Sequence, residues 1–301
     1  MKLQDICNGL KDENEIIIMK QYSRYGKRYA IAFIIFAVCC SFSITIAMFW
    51  SSILQITLGT NVTQSRRLPI TMEYFIDQEK YFYWILLHIG VASFIGTIVI
   101  LGIGSVLIMY VLHICGMFRI SSYRIKRAMH INMLENIKPR KENLMLKGII
   151  SAVDIHRQAI KLSNCLVSKI ETMMLCLIIC GVLTLSLNLL RIFQIASYGD
   201  DVKEFLIPFI LIIIDIVYMF IANYLGQNIT DHNNDVFATV YDVQWHVAPL
   251  HIQKVILFLL QRGTKDFTIS IGRLFVASLE CFTTLVKTSV SYFTVVYSTQ
   301  Q

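Results

Sequence analysis

Five long apolar runs, at residues 29–53, 84–112, 172–190, 205–226 and 274–298, alternate with polar and charged segments along the chain. Each reaches the roughly 17–25 residues that a helix needs to cross a hydrocarbon layer about 30 Å thick. The runs are continuously apolar, not alternating, which argues against a strand-built barrel; only helices and closed barrels satisfy their backbone groups in lipid. The pattern predicts an all-α membrane protein, a multi-pass bundle with five transmembrane helices. An odd number of crossings places the two termini on opposite sides.

The closing run departs from the others. It holds Glu280, Lys287 and many serines and threonines, and a charge at mid-bilayer costs several kcal/mol. Such a helix is expected to face protein or water instead of lipid. At helical period Thr284, Thr288, Ser291, Val295 and Ser298 fall on one stripe, the best candidate in the chain for the wall of a conduction path. The plainer alternative is that these hydroxyls bond their own helix carbonyls and need no water.

Composition sharpens the class. The chain has 301 residues, of which 55% are hydrophobic and 16% charged, and a mean hydropathy of +0.60, too apolar for a soluble domain of that length. Residues 1–28 are polar and mixed in charge, so no cleavable secretory signal is expected there. Nearly all of the 8 cysteines lie in or beside apolar runs, and they are expected to be small buried side chains, not a disulfide or metal framework.

Positive charge predicts orientation. Lys20, Arg24, Lys27 and Arg28 precede the first run, and the link at 113–171 is dense in lysine and arginine, so both are expected inside the cell. The N-terminus is then cytoplasmic and the C-terminus extracellular. Of two N-x-[ST] sequons, Asn61 falls in an outer loop and is a candidate glycosylation site, whereas Asn228 falls inside. The amphipathic part of the link, 144–170, is expected to extend the third spanning helix. Ile252, Val255, Ile256, Leu259 and Leu260 recur at helical spacing in 250–262, predicting a helix with a face that wants a partner. The organisation expected is a cytoplasmic segment at 1–28, a four-helix region at 29–226 with an outer-half ligand pocket, a cytoplasmic anchor at 227–273 and a pore-lining helix at 274–301.

Asp215 sits centrally in an apolar run, where a carboxylate marks either function or a hydrogen-bonded structural site. Pairing between Asp215 and Lys287 would suit a transporter, although two related halves are not visible. His88 and Trp84, with Phe49 and Trp50, suggest an aromatic pocket for a small organic molecule, or else interface anchors. His113 and Cys115 are too isolated for a zinc set. Gly102 and Gly104 read as helix-packing positions. No nucleophile elbow, phosphate loop, HExxH or paired-carboxylate motif appears, so no enzyme activity and no cofactor are expected.

The string LECFTTLVKTSVSYFTVV at 279–296 closely resembles the closing signature of insect odorant receptors. So do YFIDQEKYF at 74–82, HICGMF at 113–118, and YDVQW at 241–245 followed by Pro249. The resemblance is ordered and spans essentially the whole chain. It implies a seven-helix subunit of a tetrameric, ligand-gated, non-selective cation channel, inverted relative to G-protein-coupled receptors and assembled with an olfactory co-receptor. The implied setting is the plasma membrane of an olfactory neuron dendrite, with volatile ligands, membrane lipid and no nucleic acid as partners.

Two departures accompany the resemblance: residues 1–28 look like the cytoplasmic link that precedes the family's third helix, so the first two helices are expected to be absent, which leaves a truncated, non-functional receptor as an alternative, and Val290 stands where relatives usually carry tyrosine. The resemblance also implies a hydrophobic constriction near the outer end of the last helix, for which the stripe offers Val295. Pocket candidates are Thr45, Phe49, Trp50, Trp84, His88, Phe209 and Ile213. A G-protein-coupled receptor fragment would need the opposite orientation.

Overall fold

The computed structural model describes residues 10, 12–58, 77, 80–134, 138–198, 202–263, 267–272 and 274–300, of which 48–58, 131–134, 138–141, 198, 202–204 and 300 are described by backbone alone. Four long helices come first: α1 Glu13–Leu58, α2 Phe82–Leu134, α3 Lys138–Tyr198 and α4 Val202–Asp242. A single 3₁₀ turn at Trp245–Val247 leads to α5 Leu250–Gly263, a hairpin of β1 Ser270–Ile271 and β2 Phe275–Val276, and α6 Leu279–Gln300. Among the described residues, 4 helices are long and apolar enough to cross a membrane, those of α1 to α4. The closing helix α6, expected as the fifth span, is not among them; its charges and hydroxyls hold its hydropathy below theirs.

The helices run well past their apolar stretches. With 61 residues, α3 is about 90 Å long at 1.5 Å per residue, three times a hydrocarbon core of ~30 Å. Only a stretch around 172–190 is apolar throughout; the part before it is amphipathic and lies beyond any bilayer that the apolar part occupies.

Contacts divide the chain into two units. Unit 1 takes Met1–Tyr29, Leu107–Val182 and Tyr218–Lys287, and unit 2 takes Ala30–Val106, Leu183–Val217 and Thr288–Gln301. Unit 1 holds the larger core. In α2, Ile114, Cys115, Met117, Phe118 and Ile120 are fully buried, and this helix is enclosed on nearly every side there. From α3, Met145, Ile149, Ala152, Ile155 and Ala159 join the same core at helical spacing, with Val236 and Val240 of α4 and Ile252 and Ile256 of α5. Burying each isoleucine, valine, methionine or phenylalanine of this core stabilises the fold by about 1.5–3 kcal/mol. Small residues allow α1 and α2 to approach closely: a Cβ on Gly26 would lie 2.7 Å from Met109 Sδ, and one on Gly116 3.3 Å from Tyr22 Cβ. Unit 2 has a smaller core of Phe82, Ile85, Leu86 and Ile89, against which Ile44 and Ile207 pack.

Several polar groups inside unit 1 are paired, whereas among the described residues His113 Nε2 and Ser163 Oγ are buried without a hydrogen-bond partner. His232 Nδ1 donates to Asn228 O at 2.8 Å, which leaves Nε2 to accept from the Tyr22 hydroxyl at 2.9 Å. His156, in the amphipathic part of α3, lies 3.0 Å from Asn233 Oδ1, with the rings of Phe118 and Phe237 each 5.3 Å away. Burial pushes its pKa below the ordinary histidine value; the Asn233 bond opposes the shift and the Arg262 charge adds to it. The folded imidazole is therefore held neutral. Its stabilising contribution is whole above the unfolded pKa of about 6.5; it declines as pH falls through that value towards the lowered folded one. Melting curves of the purified chain between pH 7.5 and 5.5 should show this decline, and His156→Gln should flatten it. An unchanged pH slope in the variant would exclude His156 as its source.

The described cysteines correct one expectation. All seven are free thiols, but Cys115 alone is buried; Cys39, Cys165, Cys176 and Cys180 are exposed. On helices apolar all round, a small side chain faces lipid as readily as the core, and composition cannot tell the two apart. Cys7 lies outside the described residues.

Candidate functional site

The start of α6 is set by specific hydrogen bonds. Apolar residues 274–277 do not belong to the helix, contrary to the expectation of a helix from 274. They form β2 and its exit, with Ser270 paired to Val276 and Ile271 to Phe275. Gly272 turns the hairpin at φ 62°, a backbone conformation that glycine adopts without a Cβ clash. Ala277 N donates to Ile269 O at 2.8 Å. Ser278 then caps the helix, its Oγ accepting from Cys281 N at 3.1 Å. The backbone N–H of Ser278 donates in turn to Asn223 Oδ1 at 3.3 Å, and Asn223 is anchored by its Nδ2 bond to Met219 O at 2.9 Å. A buried α4 side chain thus fixes where α6 begins. Sequence reading missed Asn223; a polar residue near the end of an apolar run was its only signal.

One side of α6 is packed. Leu285 and Ser289 are buried, and within unit 2 Ser186 Oγ donates to Ser289 O at 2.9 Å. Tyr297 meets the Phe193 ring edge-on at 4.5 Å and stacks with Phe293 at 6.2 Å. Within unit 1, Phe282 packs edge-on against Phe220 at 5.6 Å.

The predicted stripe occupies the other side. Thr284, Ser291, Val295 and Ser298 are exposed and Thr288 is half-buried; Val295 retains 59% of its surface. Lys287 is exposed on the same side. Thr284 Oγ1 donates to Glu280 O at 3.0 Å, and Ser298 Oγ donates to Val295 O at 2.8 Å. The helix itself therefore satisfies these donors, as the plainer reading expected, while their lone pairs still point outward. What singles out the stripe is that its own chain leaves it uncovered, not a need for water.

The pocket candidates fall differently. On α2, the buried positions Phe82, Ile85, Leu86 and Ile89 define the packed face. Trp84 and His88 lie on the opposite side of the helix; Trp84 is 72% exposed and His88 is exposed too. Within this chain they face outward, as interface anchors would. Thr45 is exposed and donates to Ser41 O at 2.8 Å. Phe209 and Ile213 are partly exposed on α4, Phe209 stacked on Phe205 at 5.7 Å. The side chains of Phe49 and Trp50, and all of Asn61, lie outside the described residues. Asp215 accepts a hydrogen bond from Thr184 Oγ1 at 2.9 Å, which gives it a structural partner inside unit 2. Gly104 meets the Phe33 ring, where a Cβ would lie 2.5 Å away, whereas Gly102 has open space. Among the described residues no group of three His, Cys, Asp or Glu is placed to hold a metal ion.

The profile of the family described as 7tm Odorant receptor matches residues 1–290. No curated protein matches. Among solved structures the chain is similar to the insect olfactory receptor OR5 from Machilis hrabei in complex with eugenol, at 13% identity and a TM-score of 0.63, covering 93% of this chain and 70% of that one. It is similar also to OR5 without that ligand, at 14% identity and a TM-score of 0.60, covering 91% and 69%. At such identities the likeness speaks for the fold.

Proposed function

Because the chain belongs to the odorant receptor family, whose profile spans nearly all of it, we propose that it is a subunit of a ligand-gated, non-selective cation channel. Small volatile organic molecules open it, and it assembles with an olfactory co-receptor into a tetramer. The N-terminus is cytoplasmic and the C-terminus extracellular.

One observation carries this reading: the side of α6 bearing Thr284, Ser291, Val295 and Ser298 is left open by its own chain while the opposite side is packed. In lipid, a face with a lysine and several hydroxyls is costly. Around a shared axis the same face lines water. Val295, 59% exposed, supplies an aliphatic ring that closes the path by dewetting, and the hydroxyl lone pairs stabilise hydrated cations elsewhere along it.

Assembly draws on α5. Its buried positions, Ile252 and Ile256, sit opposite Leu250, Leu257 and Phe258, which are 68%, 49% and 69% exposed. Apolar side chains on a helix outside the apolar runs suit a neighbouring subunit. A ligand near Thr45, Phe49, Phe209 and Ile213 biases opening only by binding the open arrangement more tightly. Eugenol is the ligand in the OR5 complex; a small, mostly apolar volatile is the class expected here.

Co-expression with the co-receptor, with recording of odour-evoked current, tests the whole reading. Silence across a broad odour panel, with the protein at the cell surface, argues against it. Val295→Ala should raise the resting leak several-fold by widening and wetting the constriction. Unchanged leak and ion selectivity would remove Val295 from the gate.

A further inference from the structure

We propose that the free face of α1 is a binding surface for anionic phospholipid headgroups. Lys20, Arg24, Lys27 and Arg28 stand at i, i+4, i+7 and i+8 on this helix, and all four are exposed. That spacing makes one stripe. The opposite side of α1 is the packed one, with Glu15, Met19, Gly26 and Ala30 buried. No carboxylate interrupts residues 20–28. Of the acidic residues just before them, Glu15 is engaged with Arg124 and Asp12 with Arg127; Glu13, exposed, stands one heptad ahead of Lys20 and lies outside the cationic segment. Among the described residues none of the four cations joins an ion pair.

Continuity with the next segment identifies the partner. Beyond Arg28 the same face becomes apolar and stays exposed, with Ile31, Ile35, Phe42 and Ile46 at 55%, 58%, 66% and 51%. A helix face that is cationic and then abruptly greasy matches a lipid monolayer, whose headgroups lie directly above acyl chains. Tyr25 and Tyr29, both exposed, sit at the changeover, where amphipathic rings favour the interface. From Lys20 to Arg28 the helix rises about 12 Å, so long side chains reach from the electrolyte to the acyl boundary. A soluble polyanion would explain the cations but not the apolar continuation. In the same unit, Lys161 and Lys169 are exposed on α3 shortly before its apolar run, a second cationic approach to a membrane surface. Assigning the face to the cytoplasmic leaflet rests on the orientation proposed above; headgroup binding itself does not.

The test uses the full chain purified in a neutral detergent. Retention of phosphatidylserine and of phosphatidylcholine is measured by native mass spectrometry, with no channel activity involved, so failure here is separate from failure of the channel reading. The parent should retain phosphatidylserine preferentially, and the preference should fall between 50 and 500 mM salt. Joint replacement Lys20→Gln, Arg24→Gln, Lys27→Gln and Arg28→Gln should weaken phosphatidylserine retention about tenfold or more and leave phosphatidylcholine unchanged; Lys20→Arg with Lys27→Arg should keep it. Equal retention of both lipids by the parent, or a salt-insensitive preference, would overturn the proposal even if the fourfold variant failed to fold. Equal retention by a folded fourfold variant would overturn it as well. Efficient competition by soluble glycerophosphoserine would assign the stripe to a free anion instead.

Discussion

Replacing Glu15 with alanine should destabilise the purified chain by about 3–5 kcal/mol, the cost of breaking a buried ion pair from one side. Glu15 is 5% exposed although it lies in the first turn of a long helix. Arg124 holds it with both forks, Nε to Oε1 at 2.7 Å and Nη2 to Oε2 at 2.7 Å. The same guanidinium donates through Nη1 to Ser151 O at 3.1 Å and to Ser151 Oγ at 2.9 Å. One side chain on α2 thus ties α1 to α3. Without Glu15 the guanidinium, 18% exposed, keeps its desolvation cost and loses its counter-charge. Arg124→Met in the Glu15→Ala background should recover much of the loss, since an apolar pair of similar volume tolerates burial. The neighbouring Asp12–Arg127 pair offers an internal contrast: Arg127 is 58% exposed, and Asp12→Ala should cost under about 1 kcal/mol. Thermal melts of the parent and the three variants in one detergent decide the matter. Equal shifts for Glu15→Ala and Asp12→Ala would show that burial does not set the strength of this clasp.

That clasp marks a boundary between what the sequence discloses and what it withholds. Apolar runs long enough to span a bilayer are visible by inspection, and the helices contain them; the amphipathic spacing at 144–170 also discloses that α3 continues beyond the apolar part. The stripe on α6 is legible for the same reason, because hydroxyls and aliphatics segregate by face at a helical period. Pairing between Glu15 and Arg124, 109 positions apart, leaves no trace in periodicity. Nor does the facing of Trp84 and His88, since α2 is apolar all round in that stretch and no polar side orients it. At 274–277 a short apolar run fits strand and helix equally. The deciding signals were single residues, Gly272 for the turn and Ser278 for the cap.

The junction fixed by that cap is also where the smallest change in the chain should have a large effect. A Cβ on Gly226 would lie 2.3 Å from Ala277 Cβ and 2.9 Å from Ala277 O. The carbonyl cannot move away freely: Ala277 is 4% exposed, its N–H donates to Ile269 O at 2.8 Å, and its neighbour Ser278 donates to Asn223 Oδ1 at 3.3 Å. Asn223 and Gly226 are three positions apart on α4, so the cap and the close contact share one side of the helix. A side chain at 226 must push apart the elements that Asn223 holds together. Gly226→Ala should therefore cost about 1–3 kcal/mol through overpacking, despite the higher helix propensity of alanine. Gly226→Val should cost more and displace the base of α6, suppressing odour-evoked current. Gly102→Ala is the matched comparison, because nothing lies within 4 Å of its added Cβ; there the propensity gain, up to about 1 kcal/mol, stands alone. Opposite signs for the two Gly→Ala changes in thermal melts are expected. A stabilising Gly226→Ala would mean that α4 and the start of α6 are not held at this separation.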